Sequence, residues 1–185
     1  LDERTIVYLD CGQFERMDVD FLRKDSLTLI NIDHHHDNTC FGSLNLVEGK
    51  ASSTAEIVYT IIKDLGVELT PFLADALYVG LVTDTGRFMY QNTRPESHLM
   101  AADLLANGVD VHDAYVRLFE DQPFGKVQLL GRALATMQRF DGGLVTVCNL
   151  TKEDFTETGS EETFTEGIVD FPRAVSGTEV GVLYR

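Results

Sequence analysis

The chain has 185 residues, 44% of them apolar, with 15 basic and 30 acidic side chains for a formal net charge of −15. That composition supports a buried core and suits one domain or one and a half; it excludes a disordered chain, and no apolar run approaches the roughly 20 residues that span a bilayer. The acidity excludes the basic footprint of a duplex-binding protein, and the odd count of three cysteines argues for a reducing compartment over a disulfide framework.

In chain order, Thr5 to Asp10 reads as a buried strand ending in an aspartate, and Arg16 to Arg23 as a connector or short helical turn. Leu27 to Asp33 is a second strand, again ending in aspartate, and His34-His35-His36-Asp37-Asn38 follows as a polar loop. Ser52-Ser53-Thr54 supplies a hydroxyl cap for a helix that closes at Gly66. Pro71 opens a nearly apolar helix over Phe72 to Val82, broken by Thr83-Asp84-Thr85-Gly86. Helices are expected over Glu96 to Asn107 and Val111 to Phe119.

Pro123 starts a long amphipathic segment, Phe124 to Phe140, whose apolar Val127, Leu130, Leu134 and Met137 recur at steps of three and four. Beyond Asp141-Gly142-Gly143 come short strands at Leu144 to Leu150 and Glu179 to Tyr184, around an acidic stretch from Asp154 to Glu166. The expected organisation is a first domain over 1–120, a linker helix over 121–142 and a second, smaller α/β segment over 143–185. Strands alternating with helices predict an α/β first domain with a parallel sheet and helices on both faces. In such sheets ligands sit beyond the carboxyl ends of the strands, where Asp10 and Asp33 fall.

The chemistry concentrates at two places. Asp33-His34-His35 puts a carboxylate and adjacent imidazoles at a strand end, where packing alone does not explain them. Carboxylate and imidazole together suit manganese, iron or zinc; Cys11 and Cys40 form no CxxC pair, which favours an oxygen–nitrogen site over a zinc–thiolate one. His36 and Asp37 read equally well as a solvated loop. Asp84, at the end of an apolar helix and flanked by threonines and glycine, reads either as a turn cap or as a further ligand. Two divalent ions bridged by carboxylate would hold a phosphate there, and Arg87 has the fork geometry for a phosphate oxygen.

Three stretches in this order, Leu9-Asp10-Cys11-Gly12 with Arg16, Asp33-His34-His35 within Asn31 to Asn38, and Gly80-Leu81-Val82-Thr83-Asp84-Thr85-Gly86-Arg87-Phe88, resemble the motifs of the DHH phosphoesterase family. Ala51-Ser52-Ser53-Thr54-Ala55-Glu56 matches the family's usual helix start, and the stretch from about 143 resembles the beginning of its second domain, DHHA1. The nearest branch is similar to the nanoRNase and 3′-phosphoadenosine-5′-phosphate phosphatase group. The resemblance implies Asp10, His34 and Asp84 as metal ligands, and Asp33 as a ligand or as the group that orients His34. It implies His35 as a contact to the substrate phosphate or the second metal, with Asp33 and His35 as the catalytic pair. Arg87 and Asn38 are further substrate-binding candidates.

The implied metal is Mn2+, in a two-metal site, with Mg2+, Co2+ or Zn2+ as substitutes. The implied activity is metal-assisted hydrolysis of short RNA oligonucleotides or dinucleotides to mononucleotides, or of 3′-phosphoadenosine-5′-phosphate to AMP. A cytoplasmic protein without membrane or duplex partners is expected, and a homodimer is compatible with the reading. The alternatives are a manganese pyrophosphatase or exopolyphosphatase of the same superfamily, and a non-catalytic nucleotide sensor.

Two family features have no counterpart: a strand-end Asp-x-Asp followed by Gly-Ser, which Asp18-Val19-Asp20 does not supply, and a late glycine-rich segment ending in histidine. Both ends read as interior sequence. The expectation is a piece of a longer protein, weak or inactive by itself.

Overall fold

A computed structural model describes residues 5–17 and 27–185, in two compact units that divide between Leu118 and Phe119. The Asp18-Val19-Asp20 triplet and most of the 16–23 connector lie outside the described residues.

The first unit holds a three-stranded parallel sheet, β1 (Thr5–Leu9), β2 (Thr28–Asp33) and β3 (Leu44–Val47), in the order β1-β2-β3. A short 3-10 turn over Phe14–Met17 follows β1. Strand β3 was not apparent from sequence, because Leu44-Asn45-Leu46-Val47 is only four residues long and directly follows a polar, histidine-rich loop. The register places Val7, Ile30 and Leu44 in one row and Leu9, Ile32 and Leu46 in the next, on the same face. Val7, Leu9, Leu44 and Leu46 are exposed on that face, so the described helices do not cover both faces as expected. The opposite side of the sheet buries Tyr8, Asn31 and Asp33.

Helix α1 (Thr54–Asp64) packs on β2 and against α2 (Pro71–Asp84), which in turn contacts α3 (Pro95–Ala106). Ser53 caps α1 by accepting from the Glu56 amide, and Thr70 caps α2 ahead of Pro71. Helix α2 has no polar stripe, and Ala74, Leu77, Tyr78, Leu81 and Val82 are all buried. It runs two residues past the expected end, so Asp84 is its last residue and lies outside the apolar core. The ideal Cβ position at Gly80 lies only 2.9 Å from the Ala55 side chain, so glycine permits the close approach of α2 to α1. Helix α4 (Val111–Phe119) ends the unit.

In the second unit, α5 (Phe124–Ala135) stops well short of Phe140. Gln138–Phe140 is instead β4, antiparallel to β5 (Val145–Asn149), which pairs in parallel with β6 (Val180–Tyr184). Alternation in Gln138-Arg139-Phe140 is too short to be told from a continuing helix. Helix α5, expected as a linker, packs Leu129 and Ala133 into this unit's core with Cys148, Leu150 and Ile168; of the apolar positions named from sequence, Leu130 and Met137 pack against that core and Val127 is exposed. The acidic stretch contains α6 (Lys152–Thr158), started by a Thr151–Asp154 capping box, and a short α7 (Asp170–Arg173) precedes β6. Among the described residues no helix is long and apolar enough to cross a membrane.

Candidate metal centre

The carboxyl ends of β1 and β2 and the end of α2 converge on one cluster. Asp10 follows β1 in the left-handed region (φ 59°), where aspartate is among the better-tolerated residues, and its amide still donates to Ile32. Breaking the strand conformation one residue early turns the carboxylate out of the sheet. Thr54, the first residue of α1, donates its hydroxyl to Asp10 Oδ1 at 2.8 Å.

His34 Nε2 stands 3.6 Å from Asp10 Oδ1 and 3.5 Å from Asp84 Oδ2, while its Nδ1 faces the Ala51 carbonyl at 3.4 Å. Donation from Nδ1 to that carbonyl leaves Nε2 as the acceptor nitrogen toward the two carboxylates, the usual arrangement of a ligating histidine. One donor atom each from Asp10, His34 and His35 lie within 4.8 Å of one another, and this group contains no cysteine. Asp84 joins through His34, so the structure gathers Asp10, His34, His35 and Asp84 from segments over seventy residues apart.

Asp33 is completely buried. Its Oδ1 accepts from the His34 amide (2.7 Å), the His35 amide (3.3 Å) and His35 Nδ1 (2.7 Å); its Oδ2 accepts from Asn38. Burial opposes its ionisation, but the bonds from His35, Asn38 and the backbone outweigh it and hold the carboxyl below its ordinary range. Asp33 therefore orients the ring of His35, whereas the ring of His34 is oriented by the Ala51 carbonyl. The same hydrogen bond, donated by His35 to Asp33, pushes His35 upward against burial, with the charges of Asp33 and Asp10 adding to it. Asp84 is pushed up by burial first and then by the negative charge of Asp10. Like charges held this close favour a bound cation, and the mixed oxygen and nitrogen donors fit a divalent transition metal.

The turn after Asp84 carries Gly86, Arg87 and Phe88 in succession at positive φ. Buried Thr85 shapes it by donating to the Leu81 carbonyl and accepting from the Phe88 amide. Asn92 returns to donate to both the Asp84 carbonyl (3.0 Å) and the Ser52 carbonyl (2.9 Å), tying the Asp84 turn to the start of α1. Glu56 accepts from Ser52 and from Arg94, and so pins the same segment. Arg87 lies within this turn, three residues past Asp84. The amide of Asn38, a substrate-binding candidate from sequence, faces inward to Asp33, Asn31 and the Cys11 carbonyl. His36 lies over Gly49, whose ideal Cβ position is 2.6 Å from His36 Nδ1. Sequence reasoning missed Thr54, Asn31 and Asn92. Their partners are 44, 20 and 40 residues away, a separation that no local pattern encodes.

The DHH family, N-terminal domain, matches residues 2–81. This segment is a DHH family N-terminal domain. Relatives agree: the chain is 37% identical over 157 residues to the bifunctional oligoribonuclease and PAP phosphatase NrnA of Thermus thermophilus, covering 85% of this chain and 47% of that protein. The Bacillus subtilis protein of the same name is 29% identical over 161 residues, covering 84% of this chain and 51% of it. An exopolyphosphatase-related protein from Bacteroides fragilis superposes with a TM-score of 0.90 at 26% identity, over 96% of this chain and 53% of that one. A putative family II inorganic pyrophosphatase of Methanococcus jannaschii shares the fold, with a TM-score of 0.54 at 18% identity over 97% of this chain and 63% of that one. The chain spans about half the length of the curated relatives it matches.

Proposed function

We propose that this chain carries the metal-binding half of a phosphoesterase that hydrolyses short RNA oligonucleotides or dinucleotides to mononucleotides, and 3′-phosphoadenosine-5′-phosphate to AMP. The observation that carries the reading is the convergence of Asp10, His34 and Asp84, with His34 Nε2 3.5 to 3.6 Å from a carboxylate oxygen of each. The names of the Thermus and Bacillus relatives supply the substrate class.

In this reading Asp10, His34 and Asp84 hold Mn2+, with His35 beside them, and Mg2+, Co2+ or Zn2+ are substitutes of the same chemistry. The divalent ion supplies Lewis-acid polarisation of the phosphoryl oxygen and an acidified water. Thr54 aims Asp10, and the Ala51 carbonyl sets the acceptor nitrogen of His34. His35 stabilises charge on the phosphoryl oxygens while Asp33 holds its ring. Arg87 contributes a guanidinium to the phosphate from the turn after Asp84. The acidic surface, at a net charge of −15, disfavours long polyanions and agrees with short substrates. The part of the second unit from about residue 143 corresponds to the start of the DHHA1 substrate-binding domain.

The test is hydrolysis of the dinucleotide pApA, adenosine 3′,5′-bisphosphate and pyrophosphate by the complete gene product with Mn2+, with Asp84→Asn as control. Turnover of pApA or the bisphosphate that the variant loses is the expected result. Turnover of pyrophosphate alone moves the protein to the pyrophosphatase branch, and no turnover with Mn2+ bound refutes the enzyme reading.

A further inference from the structure

The polar groups beneath the cluster form a relay. Asn31 is completely buried and donates through Nδ2 to the Cys11 carbonyl at 3.0 Å, which turns its Oδ1 toward Asn38. Asn38 Nδ2 faces three acceptors: Asp33 Oδ2 at 2.5 Å, Asn31 Oδ1 at 2.8 Å and the Cys11 carbonyl at 3.2 Å. Asn38 Oδ1 accepts from the Cys40 amide at 2.7 Å. The inverted amide would set an oxygen against three oxygens, so the orientation is determined by its surroundings. Beyond it, Asp33 Oδ1 already accepts two backbone N–H groups, so the short contact to His35 Nδ1 is one in which the imidazole donates. A neutral ring that donates through Nδ1 has Nε2 as its acceptor nitrogen.

We propose that Asn38 is a positioning residue: by bracing the Asp33 carboxylate it holds His35 in one orientation and in its Nδ1–H tautomer. Its part in hydrolysis rests on the function proposed above, whereas the tautomer it enforces does not. A bland role competes with this one. Asn38 Oδ1 bonds the amide two residues on, an Asx turn, and asparagine serves that purpose in many loops. Serine can make the same local turn, but its hydroxyl is too short to reach Asp33. Asn38→Ser therefore separates the two roles.

The experiment uses this chain and reads three things: the His35 tautomer from long-range 1H–15N couplings, Mn2+ affinity by calorimetry, and the thermal midpoint. For Asn38→Ser the expected results are a His35 ring divided between tautomers, Mn2+ binding weakened about 10- to 100-fold and a thermal midpoint lowered by several degrees, with a folded spectrum otherwise like the parent's. An unchanged Nδ1–H signature overturns the proposal. If the parent chain binds no Mn2+, the metal reading fails, and the tautomer comparison still decides the role of Asn38. Asn38→Asp has the same size and keeps an acceptor for Cys40, but sets a second carboxylate against Asp33. It serves if the serine variant does not fold, with loss of the tautomer signature expected and its retention overturning the proposal.

Discussion

Replacing Asp33 by alanine removes the acceptor for four donors at once: the His34 and His35 amides, His35 Nδ1 and Asn38 Nδ2. Hydrogen bonds to a charged group contribute about 1.5–3 kcal/mol each, so a simple sum reaches roughly 6–12 kcal/mol. Two effects reduce it. The His35 side chain is 36% exposed, so water takes over part of what its ring loses. The variant also escapes the cost of burying a carboxylate, which is several kcal/mol for a completely buried group. The net expectation is a loss of about 3–5 kcal/mol, the range for removing one partner from a buried charged network.

Native-state hydrogen exchange of the β1–β2 ladder amides in EDTA reads this loss within the first unit alone, where a global melt would mix the two units. In a double-mutant cycle, Asp33→Ala and Asn38→Ala should couple by about 0.5–3 kcal/mol, because either single variant already removes the contact between them. A loss under about 1 kcal/mol, or coupling near zero, refutes the inference that the buried carboxylate organises the loop from 34 to 40.

Thr54→Val keeps the shape of the first turn of α1 and removes only the donor to Asp10, so Mn2+ affinity should fall about tenfold by calorimetry while stability changes by no more than about 1 kcal/mol. Mn2+ at about 100 times its Kd should stabilise the first unit by about 2.7 kcal/mol, reversed by EDTA and read by thermal melts. Gly80→Ala gains about 1 kcal/mol of helix propensity but forces α1 and α2 apart at Ala55, and a net destabilisation is expected in urea melts.

Tyr59 is pushed up to about 12 by burial and by the hydrogen bond it donates to Asp103. The fold favours the neutral phenol, so this stability is present below pH about 10 and is lost as pH rises toward about 12. Tyrosine absorbance titration should show a late ionisation at pH about 12 that Tyr59→Phe removes, while those of Tyr8 and Tyr78, raised by burial, remain. Asp103 is held low by Tyr59 and then Lys63, so its contribution is present above the usual carboxylate range and fades as pH falls through its lowered value.

Much of this protein was legible without coordinates, wherever the information is local. The strand ends at Asp10 and Asp33 followed from short apolar runs stopped by a carboxylate. The hydroxyl cap at Ser53 and the opening of α2 at Pro71 followed from helix-terminus chemistry. The order of the three motifs sufficed for the DHH resemblance. Periodicity failed where elements were short: β3 and β4 have four and three residues, fewer than a pattern needs to show its repeat.

Only the tertiary structure decided how the candidate ligands are held. The sequence allowed Asp33 to be a ligand or an orienting group; the fold buries it and spends it on His35 and two backbone amides. It presented Asn38 as a substrate contact, and the fold turns that amide inward. Thr54 and Asn92 entered the site only through packing, since a hydroxyl or an amide becomes a positioning group when folding brings a distant carboxylate or carbonyl within reach. Residue type and local pattern determine which groups can bind a metal; long-range hydrogen bonding determines which way each one faces.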